Sequence, residues 1–528
     1  MSESTAARAV REGEAVLGIE LGSTRIKAVL VGPDQATIAT GSHAWENRFV
    51  DGLWTYDLDD VVAGVRAAYA ALAADVERRH GTPLTRLAAC GVSAMMHGYL
   101  ALDADGALLT PFRTWRNTHT DRAAATLSDA LEVNIPLRWS VAHLYQAVLD
   151  EEEHLGRLAH LTTLAGLVHQ RLTGERVLGV GDASGMFPVL DGDWDAARLE
   201  RTDALLAGSA VRGGLRPLLP RVLRAGEPAG HLTEDGARFL DPTGTLEPGA
   251  AVCPPEGDAG TGMVVTRSVA PGTGNVSAGT SIFTMVVLEG ALAGRHHEID
   301  LVTTPAGDPV AMVHCNNGAS ELEAWARLFH EVAAAVGSAA DPGTVFDAVV
   351  RTALDGAPDG GGLLAYNYLS GEPVTGLEAG RPLVVRRPDS TLSLATFMRV
   401  QLSSAFATLR RGMDVLSESE GVRVGRIFAH GGLFTTPGVA QRLLAAALDT
   451  PVSVADGATE GGAWGIALLA AYGVRERRDL DLTAWLAHVL GDEPTALEPD
   501  RADVAGFEAF MKSWSAALVV ERTAVRAV

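Results

Sequence analysis

Basic charge, cysteine and long apolar runs are all scarce in this sequence. The 528 residues include 43 Lys and Arg against 65 Asp and Glu, a formal charge of −22. Such an acidic surplus disfavours nucleic acids and anionic membranes as partners, because both attract basic surfaces. The three cysteines, Cys90, Cys253 and Cys315, form no C-x-x-C pair, and no apolar stretch approaches the ~20 residues of a membrane-spanning helix. We therefore expect a cytoplasmic protein with buried thiols and with no nucleic-acid or membrane partner.

Several catalytic motifs are also missing. The sequence has no G-x-x-x-x-G-K-[ST] phosphate loop, no G-x-S-x-G nucleophile turn and no H-E-x-x-H metal-binding helix. His296 and His297 have no further ligand candidates at the spacing of a zinc site. If the protein binds a phosphate-bearing ligand, it must do so through other glycine-rich turns and a metal ion.

The chain is long enough for more than one domain, and 47% of it is hydrophobic, so each domain can bury a core. Strand-like runs alternate with helical ones, which indicates α/β layers. Residues 16–21, the turn Gly22-Ser23-Thr24 and residues 26–31 read as a strand–turn–strand unit. About half a chain later, Gly279-Thr280-Ser281 aligns with that turn, and residues 283–287 align with residues 26–30. This spacing predicts an internal duplication.

Each turn combines glycine with hydroxyl side chains, a composition suited to binding phosphate. Backbone amides in tight turns point at anionic oxygens, and glycine allows the main chain to approach closely. Ser23, Thr24, Thr280 and Ser281 add hydroxyl donors, and Lys27 is placed to reach a phosphate. Either turn alone is more typical of a plain hairpin, but their repetition favours two turns that bind one polyphosphate, a phosphate clamp.

Asp258 lies in a glycine-rich loop just before the second unit. A kinase needs a carboxylate beside the γ-phosphate to accept the proton of the attacking hydroxyl. Loop-capping Asp residues are equally common in Gly-Asp turns, so the residue types alone leave both roles open. The same holds for Gly431-Gly432 after a strand, for the Met96-His97 pair and for the aromatic Trp54 and Trp115. Each suits a ligand pocket, and each also occurs for purely structural reasons.

Taken in order, these motifs resemble those of the FGGY family of carbohydrate kinases. The segments that carry the resemblance are Gly18 to Thr24, Leu172-Thr173-Gly174-Glu175, Asp182-Ala183-Ser184-Gly185, Gly257-Asp258, Asn275 to Ser281, Tyr368-Leu369-Ser370-Gly371-Glu372 and His430-Gly431-Gly432. The resemblance covers residues 16–473. It implies an α/β fold in which two ribonuclease-H-like domains of the actin/hexokinase superfamily flank a catalytic cleft. We expect a flexible extension over 1–14, a sugar-binding domain over 15–264 and a nucleotide-binding domain with C-terminal helices over 265–528.

The resemblance also implies ATP and Mg²⁺ as cofactors and a role for each motif. Asp258 is expected to be the catalytic base, and Glu20 and Asp258 to be the magnesium ligands. Phosphate contacts are expected from Gly22, Ser23, Thr24, Lys27, Gly279, Thr280 and Ser281, and adenosine contacts from Gly431, Gly432 and Gln441. Sugar contacts are expected from Trp54, Met96, His97, Trp115, Asn117 and Asp258.

Three positions depart from the family pattern. Glu20 stands where Asp is usual, Ala259 where Asn is common, and Trp115-Arg116-Asn117 where the family has Trp-x-Asp. The predicted reaction is ATP-dependent phosphorylation of a primary hydroxyl of a ketopentose, D-xylulose or L-ribulose. The alternatives are another polyol or an aldonate, such as glycerol or gluconate, and a non-sugar ATP-binding regulator on the same fold. The apolar segment 504–519 is interpreted as a homodimer contact or a cap on the second domain.

Overall fold

The computed structural model describes residues 5–390, 392–454 and 461–528. The α-helices are α1 (Thr5–Glu12), α2 (Leu58–His80), α3 (Asp121–Leu131), α4 (Ser140–Leu149), α5 (Leu164–Thr173), α6 (Val180–Ser184), α7 (Ala196–Leu206), α8 (Glu234–Leu240), α9 (Asp258–Thr266), α10 (Ser320–Ala335), α11 (Pro342–Thr352), α12 (Leu394–Asp414), α13 (Val439–Leu448), α14 (Gly461–Gly473), α15 (Leu482–Leu490) and α16 (Arg501–Ala527). The strands are β1 (Val16–Leu21), β2 (Arg25–Val31), β3 (Thr37–Ala44), β4 (Arg48–Val50), β5 (Leu53–Thr55), β6 (Ala89–Ala94), β7 (Leu100–Leu102), β8 (His160–Thr162), β9 (Val177–Gly179), β10 (Val189–Leu190), β11 (Asp193–Trp194), β12 (Arg221–Leu223), β13 (Ala251–Val252), β14 (Glu256–Gly257), β15 (Thr273–Ala278), β16 (Ile282–Val287), β17 (Ile299–Thr303), β18 (Pro309–Cys315), β19 (Leu363–Tyr366), β20 (Leu383–Arg386), β21 (Arg426–His430) and β22 (Val452–Val454).

The chain divides into two compact units. Their bounds differ from the single boundary between residues 264 and 265 that the sequence predicts. The first comprises Met1–Val269, Leu301–Val310 and Gly457–Glu493, and the second comprises Ala270–Asp300, Ala311–Asp456 and Pro494–Val528. Helices α14 and α15 therefore belong to the first unit. Helix α14 packs directly on β1 because residue 18 of that strand is glycine. A Cβ at Gly18 would lie 2.0 Å from the Ala463 carbonyl oxygen, so only glycine allows the helix backbone to approach this closely.

The main sheet of the first unit has the order β13-β6-β1-β2-β3, with β14 also paired to β6. Strands β1, β2 and β3 are antiparallel, while β6 runs parallel to β1 and both β13 and β14 run parallel to β6. Helix α2 buries Val61, Val65, Leu72 and Val76 on one face. Mixed pairing of this kind brings the carboxyl ends of β1, β6 and β14 to one edge of the sheet.

The main sheet of the second unit has the order β17-β18-β16-β15-β21-β22 and repeats the same pairing. Strands β15 and β16 are antiparallel, and β21 and β22 continue parallel to β15. The predicted duplication is confirmed in this topology, but the predicted alignment beyond the turn is wrong by one residue. Leu21 faces Ile26 across the first turn and Ala278 faces Ile282 across the second, so the second loop is one residue shorter.

The N-terminal segment also differs from expectation. Residues 1–4 of the expected extension lie outside the described residues, but residues 5–12 form α1 rather than a flexible chain. Ala9 and Val10 are buried in the core of the first unit, while Arg8 and Arg11 stay exposed. A single apolar face of small residues is enough to fix the helix on the core, although it is too short to stand out in the sequence.

At the other end of the chain, α16 packs its apolar face on the second unit. Trp514 is fully buried, its Nε1 donates to the Ala365 carbonyl at 3.1 Å, and the Tyr366 hydroxyl donates to the Trp514 carbonyl at 2.6 Å. This confirms the cap interpretation of the segment. The three cysteines are buried free thiols, as expected. Of the helices within the described residues, none has the length and apolarity that a bilayer crossing requires.

Candidate active site

Three segments that are distant in sequence meet at the carboxyl edge of the first sheet. Glu20 lies near the end of β1, Met96 and His97 follow β6, and Asp258 follows β14 as the first residue of α9. Strand β14 pairs with the end of β6, where Gly257 faces Ala94. In α/β sheets this edge is the usual place for ligands.

Asp258 is fixed by two backbone amides. Its Oδ1 accepts hydrogen bonds from the Met96 amide at 3.2 Å and from the adjacent Ala259 amide at 3.0 Å. The side chain is exposed to solvent, yet the protein around it desolvates the carboxylate and raises its pKa above 3.8, against the lowering effect of these amides. A carboxylate that is both accessible and more basic than an ordinary Asp is suited to accept a proton.

The Met96-His97 segment is held in an unusual backbone geometry beside Asp258. His97 has φ of 70°, in the left-handed region, and its Nδ1 donates to the Gly185 carbonyl oxygen at 3.1 Å. Because a carbonyl only accepts, this bond places the proton on Nδ1. The Met96 side chain packs on Gly257, where a Cβ would lie 2.2 Å from its Cγ. The glycine before Asp258 is therefore required by the Met96 contact.

Glu20 and Lys27 face each other across the β1–β2 pair. Burial raises the pKa of Glu20 to about 7, Lys27 opposes this rise, and the negative charge of Asp258 adds to it. The Glu20 carboxylate also accepts hydrogen bonds from the backbone amides of Gly462 and Ala463 at the start of α14. The structure thus brings together Glu20, Lys27 and Asp258, three of the residues selected from the sequence.

Two further carboxyl groups, to which the sequence assigned no role, lie behind Asp258. Asp182 and Glu256 are both buried, and the Thr163 hydroxyl donates to Asp182 Oδ2 at 2.5 Å. Burial, reinforced by repulsion from neighbouring carboxylates, raises the pKa of Asp182 to about 7 and that of Glu256 to about 8. Gly179 at the end of β9 and Gly181 in α6 make the space for Glu256, because a Cβ there would lie 2.4 and 2.3 Å from its carboxylate oxygens. The sequence signal at this place is the family-like segment Asp182-Ala183-Ser184-Gly185, together with these two glycines.

Burial of Glu256 predicts stability that falls as the pH rises. Its pKa is 4.5 in an unfolded chain and about 8 in the folded protein, so between these values the folded state holds a proton that the unfolded state has released. The free energy of unfolding should therefore decrease through this window, by up to about 1.4 kcal/mol per pH unit for one such group. Glu256→Gln cannot ionise and should reduce the slope, measured by urea unfolding across the window. Glu234→Gln, at an exposed site, is the control; equal slopes in wild type and Glu256→Gln would contradict the prediction.

The first glycine-hydroxyl turn presents its hydroxyl groups to solvent. Its carbonyls are occupied, because Trp45 Nε1 donates to the Gly22 carbonyl at 2.7 Å and the Tyr56 hydroxyl donates to the Ser23 carbonyl at 2.6 Å. The side chains of Ser23 and Thr24 are exposed. The aromatic pair therefore fixes the turn from behind and leaves its hydroxyls available for a ligand.

The second turn lies beside the predicted adenosine glycines. Strand β21, which ends at the Gly431-Gly432 pair, is the parallel neighbour of β15, which leads into the turn at Gly279. Gly431 has φ of 107°, and a Cβ there would lie 2.3 Å from the Ala278 carbonyl oxygen. Gln441 is half-buried, and its Nε2 donates to the Val452 carbonyl at 2.8 Å, so it ties α13 to β22; its adenosine contact stays a prediction.

The predicted sugar-side aromatics form a separate group in the first unit. The Arg116 guanidinium lies 4.1 Å from the Trp54 ring centroid and 5.8 Å from that of Trp115. A backbone bridge between Tyr99 and Arg113 attaches this loop to the segment that follows His97.

Asn117 does not have the sugar-contact geometry expected for it. It is 3% exposed, its Oδ1 accepts from the Trp54 amide at 2.9 Å, and its Nδ2 donates to the Trp54 and Thr114 carbonyls at 2.8 and 3.0 Å. Both side-chain amide protons of Asn117 are thus donated to backbone carbonyls, and Asn117 fixes the backbone at Trp54.

Comparison with known proteins matches this chain to one family over most of its length. Residues 15–243 match the N-terminal domain and residues 274–474 the C-terminal domain of the FGGY family of carbohydrate kinases. No curated protein sequence gives a significant match.

Solved structures with the same fold include enzymes with different substrates. A xylulose kinase from Rhodospirillum rubrum is 20% identical with a TM-score of 0.78, covering 96% of this chain and 98% of that one. A gluconate kinase from Lactobacillus acidophilus is 16% identical with a TM-score of 0.78, covering 97% and 98%. A glycerol kinase from Plasmodium falciparum is 13% identical with a TM-score of 0.75, covering 94% and 97%. With both domains matched in order on an actin/hexokinase-like fold, this chain belongs to the FGGY family of carbohydrate kinases, which phosphorylate sugars with ATP.

Proposed function

We propose that this kinase transfers the γ-phosphoryl group of ATP to a primary hydroxyl of a ketopentose, D-xylulose or L-ribulose, and releases the pentulose 5-phosphate and ADP. The observation that carries the proposal is the hydrogen bond from the Met96 amide to Asp258 Oδ1 at 3.2 Å. It joins an accessible, basic carboxylate to the Met-His segment that the resemblance assigns to the sugar.

In this reaction the chain acts mainly by positioning. Asp258 accepts the proton of the attacking hydroxyl, and the hydroxyl-bearing turns at Gly22 and Gly279 bind phosphate oxygens. Within the described residues no group of three or more His, Cys, Asp or Glu side chains is arranged to bind a metal ion. Glu20 and Asp258 nevertheless suit Mg²⁺, which commonly takes one or two carboxylates and fills its other positions with water and substrate phosphates. When bound, Mg²⁺ neutralises the charge on the phosphates.

A second candidate substrate is an aldonate such as gluconate. The observation that favours it is Arg116, whose guanidinium lies close to two of the predicted sugar-side aromatics, Trp54 and Trp115. A guanidinium fork matches the geometry of a carboxylate and would discriminate an acid sugar from a neutral one. Arg116→Gln should then lower kcat/KM for the aldonate and change that for a ketose little.

A coupled ADP-release assay tests both candidates. D-xylulose, L-xylulose, D-ribulose, L-ribulose, glycerol and gluconate are compared at equal concentration, with Mg²⁺ and with a chelator. We expect the highest kcat/KM with D-xylulose or L-ribulose and no ADP release without Mg²⁺. ADP release that is independent of every sugar would contradict the proposal and favour the ATP-binding regulator.

A further inference from the structure

One sequence motif is not used by the proposed reaction: Tyr368-Leu369-Ser370-Gly371-Glu372, in the second unit. In the structure it wraps around the buried side chain of Asn317. Asn317 Oδ1 accepts hydrogen bonds from the amides of Leu369 at 2.9 Å and Ser370 at 3.0 Å, and its Nδ2 donates to Glu372 Oε2 at 3.0 Å. A single side chain thus holds three members of the motif.

The residues that follow Asn317 bind the second glycine-hydroxyl turn. The Gly318 amide donates to the Thr280 carbonyl and the Ala319 amide to the Gly279 carbonyl, both at 2.8 Å. The approach is so close that a Cβ on Gly318 would lie 2.4 Å from the Gly279 carbonyl oxygen. The turn at 279–281 is therefore supported by the backbone immediately after Asn317.

Asn317 supplies two of the hydrogen bonds that Glu372 accepts, and the backbone amides of Asn316 and Val374 supply the others. The Glu372 side chain is fully buried, and Oε2 accepts from both the Asn317 amide at 3.3 Å and the Asn317 side chain. Burial raises its pKa to about 7, against these bonds. Loss of the Asn317 side chain would remove one donor from this buried acid and the acceptor of the Leu369 and Ser370 amides, which is costly, so the local backbone would rearrange.

We propose that Asn317 is a positioning residue for the phosphates of the nucleotide: it locks the Tyr368–Glu372 motif to the backbone that supports the turn at Gly279, Thr280 and Ser281. The inference rests on the proposed function only in taking that turn as a phosphate site. It assigns the motif a role in nucleotide affinity without any contact to the nucleotide.

The test compares Asn317→Ala with Asn316→Ala. Asn316 is the exposed neighbour whose Nδ2 makes one hydrogen bond, to the Gly371 carbonyl at 2.8 Å, and it serves as the matched control. ADP titration by calorimetry should give a dissociation constant raised on the order of tenfold in Asn317→Ala, the scale expected for a buried group that loses its partner. KM for the sugar should stay unchanged, and Asn316→Ala should behave as wild type.

Hydrogen exchange separates failure of this inference from failure of the phosphate site. In the nucleotide-free protein, the amides of 279–281 should exchange faster in Asn317→Ala than in wild type. In wild type, ADP should slow their exchange. No acceleration in Asn317→Ala overturns the positioning role, whereas no ADP protection in wild type overturns the phosphate site itself.

A pair of further variants serves if Asn317→Ala does not fold. Asn317→Asp places a second carboxylate against Glu372. The two buried groups repel each other once both are ionised, so the ADP affinity of this variant should fall as the pH rises, and fall more than that of wild type. Adding Glu372→Gln supplies an amide donor to the carboxylate introduced at position 317 and should restore affinity at the higher pH. A double variant as weak as Asn317→Asp, or a single variant without pH dependence, would contradict the inference.

Discussion

Asp258→Asn should lower kcat by ~10²–10⁴, the usual contribution of a general base, and leave ATP affinity nearly unchanged. The variant keeps the size of the side chain, and its Oδ1 can still accept the hydrogen bond from the Met96 amide, which is 3.2 Å long in wild type. It cannot accept the proton of a sugar hydroxyl. Steady-state ADP release with sugar gives kcat, and calorimetric titration with a non-hydrolysable ATP analogue gives the affinity.

Asp103→Asn is the matched control, because Asp103 is a true loop-capping carboxylate. Its Oδ1 accepts from the amides of Asp105 at 3.0 Å and Ala107 at 2.9 Å, the pattern that a purely structural Asp258 would share. Asp103→Asn should cost stability and leave kcat near that of wild type. If Asp258→Asn shows the same result, a lower melting temperature with normal turnover, Asp258 is a loop cap and another group is the base.

Features that depend on a short stretch of sequence could be predicted from the sequence alone. The Gly-hydroxyl turns and the duplicated strand–turn–strand units each follow from local composition and spacing, and the structure contains both. The order of the motifs then identified the family, because each motif is weak and the set is specific. Strand β14 pairs with the end of β6, and Asp258 directly follows β14. Asp258 therefore lies next to Met96, although in the sequence only the order of the motifs relates these two residues.

Features that depend on distant partners could not be predicted. A polar side chain near a motif has the same appearance in the sequence whether it faces a ligand or binds the backbone. Asn117 was assigned to the sugar, but its side-chain amide bonds to the Trp54 and Thr114 carbonyls. The shortened second loop was hidden for a similar reason: strand register is set by cross-strand pairing, and a one-residue change leaves the composition intact.

The acidic cluster around Asp258 shows the same limit. Asp182 belongs to a segment that resembles the family, but the sequence does not show that Asp182 and Glu256 are both buried or that both have raised pKa values. Their burial follows from the fold, since Gly179 and Gly181 leave space for Glu256 only once β14 lies beside them. The electrostatic environment of the base is thus a property of the assembled unit.

Gly431→Ala is the second change for which we expect a large effect. The residue has φ of 107° and ψ of 178°, a region open to glycine alone, and backbone strain there costs about 1–3 kcal/mol for any other residue. The new Cβ would also meet the Ala278 carbonyl oxygen at 2.3 Å, and backbone cannot move aside as a flexible side chain can. Because Ala278 leads directly into Gly279, we expect lower stability in urea unfolding together with weaker ADP binding.

Gly432→Ala separates the two physical reasons for a glycine pair at this place. A Cβ on Gly432 would meet no atom of the described residues within 4 Å, and its φ is not in the left-handed region. The substitution should therefore leave stability unchanged. If Gly432 borders the adenosine, as the family resemblance implies, the added methyl should still weaken ADP binding, because close approach of the backbone is lost. Weaker binding without loss of stability would mark Gly432 as a ligand glycine and Gly431 as an architectural one; unchanged binding in Gly432→Ala would remove Gly432 from the nucleotide site.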